Sequence, residues 1–117
     1  MKDFSKITEE LAVLQERTDW AQGTERIGQL LEKHGAELDR GEKSFLYGRL
    51  GYFLRFLERA EESAAAYREA VLYAPYLAQQ RKLYSDYLSI CHYLPHVSDE
   101  ELAESHFFYQ NFFRPKE

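Results

Sequence analysis

Apolar residues recur along this chain at intervals of three and four, the spacing that places side chains on one face of an α-helix. Ile7, Leu11 and Leu14 form a first such face over residues 5–17, with Asp3 or Ser5 positioned to cap it. Thr18-Asp19 interrupts the pattern. Asp19 with Gln22 resembles a capping box opening a second helix through Trp20, Ile27, Leu30 and Leu31, which should stop at Gly35. Asp39 with Glu42 repeats that signal, so a third helix is expected to begin near Gly41 and to carry Tyr47, Leu50, Gly51 and Leu54 on one face. Ser63, Tyr67, Ala70, Val71 and Ala74 mark a fourth, which Pro75 ends because it lacks an N–H and disfavours helix in the residue before it. A fifth pattern covers residues 76–93, with Leu77, Leu83, Tyr84, Tyr87, Leu88 and Cys91 as its apolar set and Leu94-Pro95 as its end. Ser98 and Glu101 then form a capping box for a last helix to about Phe113.

Small and large residues alternate across the third and fourth faces. Gly51 and Ala70 allow two backbones to approach, and Gly51 is expected to face Ala66 or Ala70 across a tight turn. The first two helices read as a diverged copy of this hairpin at an offset of 40 residues: Ile7 matches Tyr47, Leu11 matches Gly51, Leu14 matches Leu54, Ile27 matches Tyr67 and Leu30 matches Ala70. The pattern predicts one all-α domain, a stack of antiparallel helical hairpins with about six helices and a C-terminal capping helix. Its parts are a diverged hairpin at 5–35, a central repeat at 42–75, and a third hairpin with the cap at 76–113.

The central hairpin resembles one tetratricopeptide (TPR) repeat. With Ser44 as the first position of the roughly 34-residue unit, Tyr47, Leu50, Gly51, Leu54, Ser63, Tyr67, Ala70 and Pro75 fall on the signature positions. The resemblance implies a TPR-like stack whose ligand contacts come from the inner face of the first helix of each repeat. On this chain those positions are Phe45, Gly48, Tyr52, Arg55 and Phe56, then Gln79, Lys82, Asp86, Ser89 and Ile90. Phe45, Tyr52, Arg55, Phe56, Lys82 and Asp86 are the candidate protein- or peptide-binding residues, a mixture of rings and charge able to hold an extended peptide or an acidic group. In the competing reading, Tyr52 and Phe56 pack under the C-terminal helix.

A second resemblance follows the repeat. Tyr84-Ser85-Asp86-Tyr87-Leu88, His92-Tyr93-Leu94-Pro95, Ser98-Asp99-Glu100-Glu101-Leu102 and His106 resemble the segment that joins TPR helices to the catalytic region in bacterial O-GlcNAc-transferase-like glycosyltransferases. The resemblance implies a non-catalytic interaction module of such a protein and carries over no catalytic residue. A free-standing peptide-binding adaptor and a subunit taking part in protein glycosylation are the alternatives.

Charge narrows the partners. A formal net charge of −5 argues against nucleic acid and anionic membrane, which reward clustered Lys and Arg. No apolar run approaches membrane-spanning length, and residues 1–10 are too polar for a signal peptide, so a cytoplasmic location is expected. The single Cys91 excludes an internal disulfide and a Cys-based zinc site. Cys91, His92, His96 and His106 lack the spacing of a metal site, and adjacent Cys91 and His92 point differently from a helix, which disfavours a nucleophile–base pair. The paired carboxylates at Glu9-Glu10, Glu61-Glu62 and Glu100-Glu101 suit first turns and exposed faces. No enzyme, metal or cofactor is therefore expected. The partners expected are a protein or peptide, a following catalytic domain, or a second copy of the chain. Within the last helix Phe107, Phe108, Tyr109, Phe112 and Phe113 cover more surface than one neighbour buries, and Phe112 and Phe113 are its candidate interface.

Overall fold

A computed structural model of the chain describes residues 3–92 and residue 94. Every regular element among them is helical: α1 (Phe4–Glu16), α2 (Trp20–His34), a 3₁₀ turn at Gly35–Glu37, α3 (Arg40–Phe56), α4 (Ala60–Tyr73) and α5 (Leu77–Cys91). The expected sixth helix, with Phe112, Phe113 and any dimer contact they make, lies outside the described residues.

The starts of α1, α2 and α3 follow the capping chemistry, whereas α4 and α5 begin without a side-chain cap. Asp3 Oδ1 accepts from the Ser5 N–H at 3.1 Å, and Asp19 Oδ1 from the Gln22 N–H at 3.4 Å. At Asp39 the box closes both ways, its carboxylate accepting from the Glu42 N–H at 2.8 Å while Glu42 Oε1 accepts from the Asp39 N–H at 2.9 Å. Helix α2 ends at Gly35 as expected, though the glycine's conformation is not the usual one for a stop. Gly35 keeps a right-handed conformation (φ −54°, ψ −37°), so α2 tightens into the 3₁₀ turn instead of stopping in a left-handed cap. Pro75 stands just beyond α4, whose last carbonyls are met by side chains: the Arg40 guanidinium donates to Leu72 O at 2.8 Å and to Tyr73 O at 3.0 Å.

The turns that fold α1 onto α2 and α3 onto α4 have one geometry. In the first, the Asp19 N–H donates to Leu14 O at 2.9 Å and the Thr18 N–H to Gln15 O at 3.1 Å. In the second, Arg59 donates to Leu54 O at 3.1 Å and Glu58 to Arg55 O at 3.2 Å. Each is a Schellman closure with a left-handed residue at its centre, Thr18 at φ 54° and Glu58 at φ 60°. The two lie 40 residues apart, the offset at which the hydrophobic faces repeat.

Helix α3 touches all four others. Phe45 meets Phe4 of α1 edge to face at 5.7 Å. Phe53, fully buried, fills the space above Gly23 of α2, where a Cβ would come within 2.6 Å of the ring. Leu83 of α5 comes within 3.1 Å of where a Gly48 Cβ would stand. Against α4 the expectation for Gly51 needs correction. Its neighbour is the Tyr67 ring, 2.9 Å from where a Cβ would stand, rather than Ala66 or Ala70. A flat ring lies closest on a residue with no side chain, and the two alanines, both buried, flank that contact. Two buried hydroxyls tie the pair together: Ser44 Oγ donates to Ala70 O at 2.8 Å and Ser63 Oγ to Gly51 O at 2.7 Å. Ile7, Leu11, Leu14, Ile27, Leu30, Leu38, Leu46 and Phe53 form the main core, and Ala64, Tyr67, Ile90, Cys91 and Leu94 a second cluster between α4 and α5.

Candidate functional site

The space that α3 leaves open faces α5. Phe45, Arg49, Tyr52 and Arg55 follow one another at helical spacing on α3, with Gly48 between them where a Cβ would crowd the Leu83 side chain of α5. Gln79, Lys82, Leu83 and Asp86 face them from α5, and Tyr67 reaches in from α4. Together they line a cleft of about 310 Å³.

Its cationic side is pre-arranged. The Arg49 guanidinium lies 5.8 Å from the centre of the Phe45 ring and 5.2 Å from that of Tyr52, and its Nη1 donates to Gln15 Oε1 of α1 at 2.9 Å. Rings on the same helix thus hold the planar group in place. Across the cleft, Lys82 Nζ lies 3.5 Å from Asp86 Oδ2, one turn along α5. Tyr67 is buried, 2% exposed, and its hydroxyl is pushed up to about 12. Burial is the main cause and the Asp86 carboxylate adds to it, while Arg55 and Arg49 oppose the shift. Arg49, Arg55 and Lys82 meet one carboxylate here, Asp86, in a chain whose net charge is −5.

Of the residues predicted from sequence, Phe45, Tyr52, Arg55, Lys82 and Asp86 line this one cleft, along with Gly48 and Gln79. Phe56 does not. Its ring stacks on Trp20 of α2 at 4.5 Å and 17°, and it lines a neighbouring hollow with Arg55, Glu58, Ala60 and Ile90. Tyr52 serves both places, with its ring edge to face on Trp20 at 6.0 Å. Among the described residues, then, Tyr52 and Phe56 pack on α2. Ile90 is buried in the second core cluster, and the Ser89 hydroxyl donates back to Ser85 O at 3.2 Å. Sequence reasoning missed Arg49 and the hydroxyl of Tyr67. Arg49 stands four residues after Phe45 and three before Tyr52, a spacing that carries the signal; Tyr67 is buried packing and cleft lining at once.

No group of three or more His, Cys, Asp or Glu among the described residues is placed to hold a metal ion. Cys91 is buried and His92 exposed, while His96 and His106 lie outside the described residues. No described helix is long and apolar enough to cross a membrane. Compared with models of known protein families, with curated proteins and with solved structures, the chain matches none.

Proposed function

We propose that this chain is a protein-interaction module with TPR-like stacking, and that its α3–α5 cleft receives an extended acidic segment of another protein or of a neighbouring domain. One observation carries the reading: five residues picked from the inner-face positions of a TPR unit line a single cleft, and that cleft is cationic in an acidic chain. Rings supply apolar area at low entropic cost, and guanidinium groups supply directed donors to carboxylates. The TPR-like stacking is supported by the contact of Gly51 with Tyr67, by the Ser63–Gly51 hydrogen bond and by the repeated turns. The kinship with the non-catalytic part of O-GlcNAc-transferase-like glycosyltransferases rests on residues 84–106, most of which lie outside the described residues.

Fluorescence anisotropy with pools of labelled ten-residue peptides, acidic, neutral and basic, tests the reading. The acidic pool is expected to bind, and the charge reversals Arg55→Glu and Lys82→Glu to weaken that binding by about ten-fold or more each. Equal binding of the neutral pool, or indifference to both reversals, would overturn it.

A further inference from the structure

Resting on that reading, we infer that the segment held in the α3–α5 cleft carries a phosphorylated side chain, seated between Arg49 and Arg55. The Lys82–Asp86 pair balances itself across 3.5 Å on α5. Setting it aside leaves two guanidinium groups on α3 with no carboxylate paired to either among the described residues. One carboxylate neutralises one of them; a phosphate monoester, at about −1.5 to −2 near neutral pH, matches both.

Geometry agrees with the charge count. Arg49 is fixed by the Phe45 and Tyr52 rings and by Gln15, so its planar fork is aimed before a ligand arrives. Arg55 lines the same cleft as Tyr67, and its charge favours the ionised form of the Tyr67 hydroxyl. That hydroxyl stays protonated across the physiological range and adds a neutral donor beside the two cations. A phosphoryl group has three acceptor oxygens, enough to meet both forks and the hydroxyl, where a carboxylate has two. The cleft, at about 310 Å³, has room for a phosphorylated side chain. The rings of Phe45 and Tyr52 flank the stem that such a side chain would present.

The test uses the full chain and peptide pools identical in their randomised acidic flanks, with the central residue fixed as serine, glutamate, phosphoserine or phosphotyrosine. At least one phosphorylated pool is expected to bind about ten-fold or more tighter than the glutamate pool. Arg49→Gln and Arg55→Gln should each reduce that preference to about two-fold or less, with the far-ultraviolet circular dichroism unchanged. Should either variant fold poorly, Arg55→Lys keeps the charge and loses the fork, and the preference should fall there too. Free phenyl phosphate should compete only at concentrations far above the peptides. Glutamate and phosphorylated pools binding equally would overturn this inference and leave the acidic-segment reading standing. Phenyl phosphate binding as tightly as the peptides would overturn it in favour of a small phosphorylated ligand. Binding to no pool would end both readings.

Discussion

Two glycines five residues apart in α2 have opposite surroundings. Gly23 is buried with the Phe53 ring 2.6 Å from where a Cβ would stand, whereas Gly28 has nothing within 4 Å and is exposed. Gly23→Ala forces the ring or the helix to move and should cost about 1–3 kcal/mol in urea unfolding. Gly28→Ala gains helix propensity at no steric cost and should add roughly 0.5–1 kcal/mol. Equal effects from the two would mean that α2 is wrongly oriented against α3. Tyr67 makes a different demand. Its hydroxyl titrates near 12 in the folded chain and near 10.0 when unfolded. Below pH 10 both states hold the proton and stability is complete. As pH rises from 10 to 12 only the unfolded state releases it, so stability should fall by roughly 1.4 kcal/mol per pH unit. Burial raises Tyr47 and Tyr87 in the same direction, so Tyr67→Phe should lessen the alkaline slope without removing it.

At the scale of elements, the helices were legible because each writes a face of apolar residues and most write a cap as well. Asp39 with Glu42 marked the start of α3, with Asp39 as its N-cap and Glu42 in its first turn, and Pro75 fixed the end of α4. Contacts between hairpins were less legible. Phe56 and Tyr52 carry no mark that their partner is Trp20, some thirty residues earlier, because helical spacing describes a face and leaves its neighbour unnamed. Gly51 was read as a meeting of small residues and proved to be the seat of a large one. Cleft positions came through because they share one face of α3 and one of α5, and Arg49 falls outside the inner-face positions that the TPR resemblance names. The turns offer a check at this scale. Glu58 pays for a left-handed backbone that glycine adopts freely, so Glu58→Gly should raise the unfolding free energy by about 0.5–1 kcal/mol. A loss of stability would show that the Glu58 side chain holds something the turn needs.

For the whole molecule, net charge and local charge have opposite signs. A chain at −5 repels an acidic partner at long range, while the cleft with Arg49, Arg55 and Lys82 attracts it at contact. Binding of an acidic peptide should therefore weaken only a few-fold between 0.05 and 0.3 M salt at a shielded cleft, as screening reduces repulsion and attraction together. A drop of a hundred-fold or more would place the peptide on open surface. The composition gave no hint of this reversal, since an average over 117 residues conceals a patch built from three side chains.

The matched turns at Thr18 and Glu58 are closed by main-chain groups alone, N–H to carbonyl, with no side chain as donor or acceptor in either pair of bonds. The closure itself calls on no particular side chain: Arg17-Thr18-Asp19 and Leu57-Glu58-Arg59 share no residue and make the same bend. The consequence is a common metre under different words: a hairpin can change every residue at its bend and keep its period as a torsion angle, so comparing φ along the backbone finds a repeat that aligning the letters misses.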